Sequence, residues 1–162
     1  MNAAQLLEVM SDVEARIAQI YERFATEFHD VADIGDLWVS MGREELHHAE
    51  RLSLVIAQAP SVVAPAPAEE HLRQLQAMLD ACEREVAQPV RLQEALRVTV
   101  DLEAAEAAHL HAVLGTLGAW AAQLAEAPDM QHRQRHLLEH AVGLFGTPAV
   151  QQRLAWQRFR DE

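Results

Sequence analysis

The most informative stretch of this sequence is Glu45-Leu46-His47-His48-Ala49. Glu45 and His48 are three positions apart, so their side chains lie on one face if the segment is an α-helix. A carboxylate oxygen and an imidazole nitrogen at that spacing can bind one metal ion from a single rigid element. The flanking sequence predicts such a helix, because apolar residues continue the same face at steps of three and four. These residues are Ile34, Trp38, Met41, Leu52 and Val55.

A second pair with the same spacing, Glu44 and His47, precedes the first by one position. Glu45 and His48 fall within the apolar stripe, whereas Glu44 and His47 align with the polar Ser40. Because a buried stripe faces the core of a helical protein, we expect Glu45 and His48 to point inward. We expect Glu44 and His47 to point into solvent.

The bulk composition predicts an all-α protein. Half of the 162 residues are hydrophobic, and glycine and proline number only six each. The net charge of −12 argues against nucleic acid or an anionic membrane as a partner, since both require a basic surface. The sequence has neither a signal-peptide pattern nor an apolar run of about 20 residues, so a cytoplasmic protein is expected.

The periodicity of apolar residues divides the first half of the chain into helices. Ala3–His29 is predicted as the first helix and Asp36–Gln58 as the second, and their short connection implies antiparallel neighbours. Residues 59–88 are predicted as a crossover, in which a proline-rich, non-helical linker up to Ala68 precedes a helix over 69–88.

The second half is predicted to contain two more core helices and a short tail. Pro89 suits the first position of a helix, and Pro128 with Asp129 indicates another helix start. Residues 147–162 are predicted as a short C-terminal helix. The predicted fold over residues 1–162 is therefore one domain, a four-helix bundle with one long crossover connection.

Three acidic residues besides Glu45 also fall within apolar stripes: Glu14 in the first helix, and Glu103 and Glu106 in the third core helix. A buried carboxylate is costly to keep ionised unless it is paired or bound to a metal. These carboxylates repel one another, whereas divalent or trivalent cations would stabilise all of them together. The sequence therefore predicts a metal centre built from three helices.

The candidate ligands also have ordinary structural interpretations. Ser11 and Glu14 form a capping-box pattern. The two acidic residues of the third core helix could be half-exposed and pair with Arg97 or with a facing arginine, and His48 could be a hydrogen-bonded core histidine. A metal-free bundle with a buried ion network is thus an alternative to the metal centre.

Three motifs carry a resemblance to a known family: Glu14 followed by Tyr21, then Glu45-x-x-His48-Ala49, then Glu103-x-x-Glu106. In this order they resemble the rubrerythrin branch of the ferritin-like superfamily, over roughly residues 7–144. The resemblance implies a ferritin-like fold in which the Glu and His residues of these motifs bind two iron ions. Manganese or a mixed metal pair is an alternative to iron.

The fourth core helix departs from the family pattern, which has a second Glu-x-x-His there. One alignment places His140 at the ligand position, with Leu137 where the glutamate would be. The other uses His136 and places Arg133 at the glutamate position. His140 is taken as the sixth candidate metal ligand, and the choice between His136 and His140 stays open. His109 is a further candidate nitrogen ligand, although it lies at the edge of its stripe.

The resemblance also implies an activity. Glu45 and Glu103 would bridge the two ions, Glu14 and His48 would hold the outer positions, and Glu45 and Glu106 would be the catalytic residues. The expected chemistry is peroxidase, oxidase or ferroxidase-type, with peroxide or O₂ as substrate. The alternative is a non-enzymatic helical bundle with a degenerate or single metal site, which serves iron storage or protein interaction.

The expected partners follow from the same resemblance. Cys82 is the only cysteine, which excludes the four-cysteine iron centre of rubrerythrins proper, so electrons would come from an external donor. A homodimer is expected, because such bundles commonly dimerise, and Trp156 and Phe159 of the tail could contribute to the contact.

Overall fold

The computed structural model describes residues 1–31, 34–56, 63–64, 66–117, 138–148 and 150–152. This part of the chain is α-helical, and its one β-type contact is an isolated bridge between Asn2 and Val63. The all-α class predicted from the sequence is therefore confirmed. Among the described helices, none combines the length and the apolar character needed to cross a bilayer.

Helix α1 (Ala3–Glu27) begins at a well-formed cap. The side chain of Asn2 accepts a hydrogen bond from the Gln5 backbone N–H, and the Gln5 side chain accepts one from the Asn2 backbone N–H. This reciprocal arrangement is a capping box, and it satisfies donors that the first turn leaves free. The capping-box interpretation of Ser11 and Glu14 is therefore wrong, because both lie inside a helix that starts earlier.

Helix α2 (Ile34–Ile56) runs antiparallel to α1, as the short connection predicted. The Ser11 hydroxyl donates to the Ala49 carbonyl oxygen, while a Cβ built at Gly42 would lie 3.4 Å from the Ala18 carbonyl oxygen. The same Cβ would lie 3.5 Å from the Tyr21 Cβ, so a methyl group at this position would make ordinary van der Waals contacts with α1.

Helix α3 (Ala66–Val86) returns along α1 in the parallel direction. The amino group of Met1 contacts Glu69 near one end, and Arg16 bridges Asp80 and Glu83 toward the other. The prediction of a non-helical linker up to Ala68 was wrong in its boundary. Pro67 lies in the first turn of α3, where a missing backbone N–H costs no intrahelical hydrogen bond.

Helix α4 (Leu92–Leu117) runs antiparallel to α3 and also contacts α1. It begins three residues after Pro89, so the predicted start at that proline was wrong. Arg91 precedes the first turn: its carbonyl oxygen accepts from the Glu94 N–H, and its own N–H donates to the Glu94 carboxylate. These two hydrogen bonds give partners to backbone groups that the start of α4 would otherwise leave unpaired. The helix therefore does not need a proline, which lacks a backbone N–H, at its first position.

The C-terminal part is described over a short range. Residues 138–145 form helix α5, and the chain is helical again at 148 and 150–152, where the Thr147 hydroxyl accepts from the Val150 N–H. This agrees with a helix start at Thr147-Pro148. The predicted start at Pro128 and Asp129, the alternative ligand His136 and the tail residues Trp156 and Phe159 lie outside the described residues.

One hydrophobic core joins α1, α2, α3 and α4 and extends to α5. Its aromatic centre is formed by Phe24, Phe28 and Trp38, whose ring centroids are 5.1 and 5.4 Å from the indole. The Trp38 indole N–H donates to the Thr99 hydroxyl at 2.9 Å, so α2 and α4 are joined by a buried polar contact. These contacts fix the three helices that carry the acidic side chains described next.

Candidate metal centre

Four side chains from three helices converge in the core. Each offers one ligand atom, and these atoms all lie within 4.8 Å of one another. Glu14 comes from α1, Glu45 and His48 come from α2, and Glu106 comes from α4. Four of the six ligands predicted from the sequence are thus brought together in one group.

The two glutamates from α1 and α2 are deeply buried. Glu14 is 1% exposed and Glu45 is 3% exposed, and buried Met10 and Ile17 flank Glu14 along the helix. Each glutamate occupies a position in the apolar repeat of its helix, so the packing that buries the repeat also buries the carboxylate. The antiparallel pairing of α1 and α2 brings the two carboxylates to the same level.

His48 lies among three carboxylates. Its Nδ1 is 3.0 Å from Glu45 Oε2 and 3.7 Å from Glu14 Oε2, and its Nε2 is 3.9 Å from Glu44 Oε1. With 15% of its side chain exposed, the imidazole lies at the boundary between the core and solvent. The nitrogen that faces the acidic group is therefore Nδ1.

Glu44 is buried, which corrects the prediction that Glu44 and His47 both point into solvent. His47 is exposed as predicted, with 56% of its side chain accessible, but Glu44 retains only 7%. The buried face of α2 is therefore wider than its apolar stripe, and the charge of Glu44 reaches Glu103 of α4. The proximity of its oxygen to the His48 ring makes it a fifth acidic member of the region that the sequence interpretation missed.

Glu103 of α4 is oriented by a phenol. The hydroxyl of the fully buried Tyr21 donates to Glu103 Oε1 at 2.7 Å. Glu103 does not belong to the group of four, but its carboxylate lies within electrostatic reach of Glu14, Glu44 and His48. The contact gives the buried phenol a hydrogen-bond acceptor within the core.

The acidic groups raise one another's pKa values. Burial is the main cause of the raised pKa of Glu45, and the charges of Glu103 and Glu14 add to it against the opposing effect of His48. Burial likewise raises the pKa of Glu106 well above its usual range. For Glu103, burial outweighs the Tyr21 hydrogen bond and raises the pKa to about 7. The metal-free core therefore disfavours the ionised carboxylates that its own packing creates.

Two carboxylate oxygens in the group are buried and unpaired. Within the described part of the chain, Glu14 Oε2 and Glu106 Oε2 are shielded from solvent and have no hydrogen-bond partner. An unpaired buried acceptor costs about 1–3 kcal/mol. A cation coordinated between these oxygens would remove that cost, so the residues present fit a bound metal ion.

The remaining candidates lie elsewhere. The side chain of His140 on α5 is exposed and is not in the group of four. Arg97 pairs with Glu85 of α3 and with Asp101, rather than with the acidic residues of the centre. The interpretation in which Arg97 neutralises Glu103 is therefore wrong.

Comparisons of the chain with protein-family models, with curated proteins and with solved structures found no match. The chemistry of the site is thus inferred from its donor atoms. Three carboxylates and one imidazole form a hard, oxygen-rich ligand set, which suits iron, manganese and zinc better than soft copper(I).

Proposed function

We propose that this protein binds metal between α1, α2 and α4, and that its physiological ions are a pair of iron ions. The observation that carries the proposal is the group Glu14, Glu45, His48 and Glu106, with its ligand atoms within 4.8 Å. Opposite ligands on one ion at about 2.1 Å are roughly 4.2 Å apart, so a contraction of a few tenths of an ångström would enclose an ion.

The separation between His48 and Glu45 supports the same proposal. Two donors at right angles on one ion, each about 2.1 Å from it, are roughly 3 Å apart. His48 Nδ1 and Glu45 Oε2 are 3.0 Å apart. They therefore need little movement to act as neighbouring ligands of one ion.

A second ion would use the carboxylates beside the group. In addition to burial, the charge of Glu103 raises the pKa of Glu45, and the charge of Glu44 raises the pKa of Glu103, so these carboxylates lie close enough to interact. In this proposal Glu45 and Glu103 would help to hold the two ions, as the family resemblance implies. His140 is left out of the ligand set, because its side chain is exposed.

The helix directions support a ferritin-like four-helix bundle as the finer fold. Helix α2 is antiparallel to α1, and α3 returns parallel to α1. Helix α4 then runs in the direction of α2, with contacts from Tyr21 to Glu103 and from Trp38 to Thr99. In this proposal α3 is the crossover helix, and α1, α2 and α4 are three of the four core helices.

The proposed activity is the reduction of peroxide or O₂ by electrons from an external donor. Bound ferrous iron would supply the electrons to the substrate. The chain itself contributes buried apolar walls that exclude water, a hydrogen bond from Tyr21 that orients Glu103, and Glu106 as the group able to hold a proton. Burial and the charge of Glu45 raise the pKa of Glu106, which favours a proton on this carboxyl when no cation is bound to it.

A metal-free helical bundle is the second candidate function. The hydrogen bond between His48 and Glu45 favours it, since an imidazole already pairs with one carboxylate without any ion. Protonation of the carboxylates with raised pKa values would remove the charge repulsion within the rest of the group. Such a protein would serve as an interaction module that needs no metal ion.

Elemental analysis of the freshly purified protein separates these functions. We expect about two iron ions per chain in the natural sequence and no iron after Glu45→Ala. Glu22→Ala is the matched control, because Glu22 is an exposed acid on α1 and its loss should leave the metal content unchanged. Glu44→Ala cannot serve as this control, since Glu44 is buried. Metal-free natural protein, or equal metal loss in the control, would contradict the proposal.

The redox part needs its own measurement. The iron-loaded protein is reduced anaerobically and mixed with peroxide or with O₂, and the ferric absorbance is followed over time. We expect rapid oxidation in the natural sequence and in Glu22→Ala. If the bound iron oxidises no faster than iron in buffer, the protein binds metal without the proposed activity.

A further inference from the structure

His71 of α3 and His109 of α4 form a pair outside the centre. Their Nδ1 atoms are 3.2 Å apart, and their ring centroids are 5.4 Å apart with planes inclined by 47°. Both side chains are half-buried, so the pair is reached by solvent. Neither residue belongs to the group that the proposed function uses.

We propose that His71 and His109 form a second metal site, which takes one divalent transition ion such as Zn²⁺. Two nitrogens bound tetrahedrally to one ion at 2.0–2.1 Å are about 3.3 Å apart. The observed 3.2 Å between the Nδ1 atoms matches that separation without a rearrangement of either helix. Imidazole nitrogen is a ligand suited to zinc, copper and nickel.

The protonation state of the pair is compatible with binding. Burial and the neighbouring His71 lower the pKa of His109, which favours the neutral imidazole that a metal requires. In the metal-free pair one Nδ1 donates to the other, and on binding that ring carries its proton on Nε2 instead. No net proton is released from this exchange, and solvent water fills the remaining coordination positions.

The bound ion would join the crossover helix to α4. The pair lies near the start of α3 and in the second half of α4, whereas the ion pair between Arg97 and Glu85 lies at the opposite ends of these helices. A metal link at His71 and His109 would therefore fix the helix pair at a second point. Because an ion that binds only the folded state stabilises it, the site predicts a rise in Tm with zinc.

The test measures zinc stoichiometry in a chain whose main centre is disabled. Zn²⁺ is titrated into Glu45→Ala protein by calorimetry, with His71→Ala, His109→Ala or the control His29→Ala added. His29 is exposed and lies at the end of α1, away from the pair. We expect each substitution in the pair to remove one equivalent of zinc and the zinc-dependent rise in Tm, and the control to keep both.

The outcomes distinguish this site from the proposed function. If zinc stoichiometry is the same in His71→Ala, His109→Ala and the control, the pair is only a hydrogen-bonded contact and the inference is overturned. Circular dichroism establishes that each variant is folded, which is expected for half-exposed side chains. A failure of iron binding at the main centre leaves this measurement unaffected, since it uses Glu45→Ala protein throughout.

A separate observation concerns the outer face of α2. Val39, Leu46 and Leu54 are exposed by 38%, 51% and 72%, and they share one narrow stripe with exposed Arg43 and Glu50. The residues of this stripe are arranged symmetrically along the helix. Val39 and Leu54 lie at its two ends, and Arg43 and Glu50 lie at equal distances from its centre. An antiparallel copy of the same helix would place each Arg43 opposite a Glu50.

We infer that this face binds a second copy of the chain in a two-fold dimer. In such an interface Val39 of one copy would face Leu54 of the other, and Arg43 would face Glu50 on either side of Leu46. The inference gives the expected homodimer a contact surface on α2. Its basis is the charge complementarity of the stripe, which is independent of the metal centre.

Sedimentation velocity of the full chain tests the dimer with a charge swap. We expect a dimer for the natural sequence, loss of the dimer in Arg43→Glu, and recovery in Arg43→Glu combined with Glu50→Arg. Val63→Arg is the control, because Val63 is 77% exposed and lies outside α2. A monomeric natural protein, or a dimer that survives Arg43→Glu, would overturn the inference.

Discussion

The hydroxyl of Tyr21 on α1 donates a 2.7 Å hydrogen bond to Oε1 of Glu103 on α4. Tyr21 is fully buried, and its phenol pKa is raised by burial and by the charge of Glu103. The phenol therefore keeps its proton and remains a donor throughout the ordinary pH range. This contact links two helices across the core and fixes the orientation of an acid beside the candidate centre.

Tyr21→Phe should therefore destabilise the metal-free protein. The ring retains its packing while the donor is lost, and a hydrogen bond to a charged group contributes about 1.5–3 kcal/mol. We expect a loss of roughly that size in the free energy of unfolding, measured by denaturation at pH 8. In a Glu103→Gln background the same substitution should cost less. An equal cost in both backgrounds would show that the charge of Glu103 does not strengthen the hydrogen bond.

The metal-free protein should lose stability as the pH rises. Burial raises the pKa of Glu103 from its ordinary value of 4.5 to about 7, and it raises the pKa of Glu45 in the same direction. When a carboxyl has a higher pKa in the folded state, the folded state binds its proton more tightly than the unfolded state does. The resulting stabilisation is complete at a pH below the pKa of the unfolded state, and it is lost as the pH rises through the pKa of the folded state. We expect a decrease on the order of a few kcal/mol between pH 5 and pH 8.

Denaturation curves in the presence of a chelator, at several pH values, measure this slope. Glu103→Gln should flatten it, because glutamine does not titrate. Metal-loaded protein should show the opposite trend, since metal binding requires deprotonated ligands. A metal-free protein whose stability rises between pH 5 and pH 8 would contradict the arrangement of buried acids described above.

Much of the centre could be predicted because its ligands interrupt apolar repeats. Glu14 and Glu45 replace apolar residues at positions where the helix periodicity itself indicates burial, so the sequence carries their orientation directly. Glu44 could not be found in this way. Glu44 lies outside the apolar stripe, and the stripe shows how wide the buried face of a helix is only where apolar residues fill that face.

Helix starts were predicted less well, because one proline can be accommodated in several ways. Pro67 lies within the first turn of α3, whereas Pro89 precedes α4 by three residues. Both positions satisfy the restrictions that the ring imposes. The start of α4 is marked instead by two hydrogen bonds between Arg91 and Glu94. Arg91 is not one of the residue types, such as Ser and Thr, that usually indicate a helix start in a sequence.

Two glycines in α2 should respond differently to substitution by alanine. At Gly42 an added Cβ makes ordinary contacts, of which the shortest is 3.4 Å to the Ala18 carbonyl oxygen. At Gly35 it would lie 3.1 Å from the His29 Cα, a backbone atom that cannot yield easily. Alanine in a helix is favoured over glycine by about 0.8–1.0 kcal/mol.

We therefore expect Gly42→Ala to raise the free energy of unfolding by up to about 1 kcal/mol, and Gly35→Ala to gain less or to lose stability. Chemical denaturation of both variants under identical conditions measures the difference. If Gly42→Ala destabilises the protein more than Gly35→Ala does, α1 and α2 are packed more closely at Gly42 than described here.

Glu106→Gln should change stability and metal binding in opposite directions. The Oε2 of Glu106 is buried without a partner, and the charges of Glu45 and Glu14 add to burial in raising its pKa. An amide of the same shape removes one of the mutually repelling charges and offers N–H donors to the neighbouring carboxylates. At pH 8 without metal, we expect the variant to unfold at a higher denaturant concentration than the natural sequence.

The same substitution removes an anionic ligand from the group, so the metal content of purified Glu106→Gln should fall. A gain in stability together with a loss of metal is typical of a residue kept for function at a cost to the fold. Glu22→Gln is the matched control, because an exposed acid on α1 should change neither quantity. Destabilisation of metal-free Glu106→Gln at pH 8 would mean that the Glu106 carboxylate is already stabilised without a cation, and the case for a metal at this position would be lost.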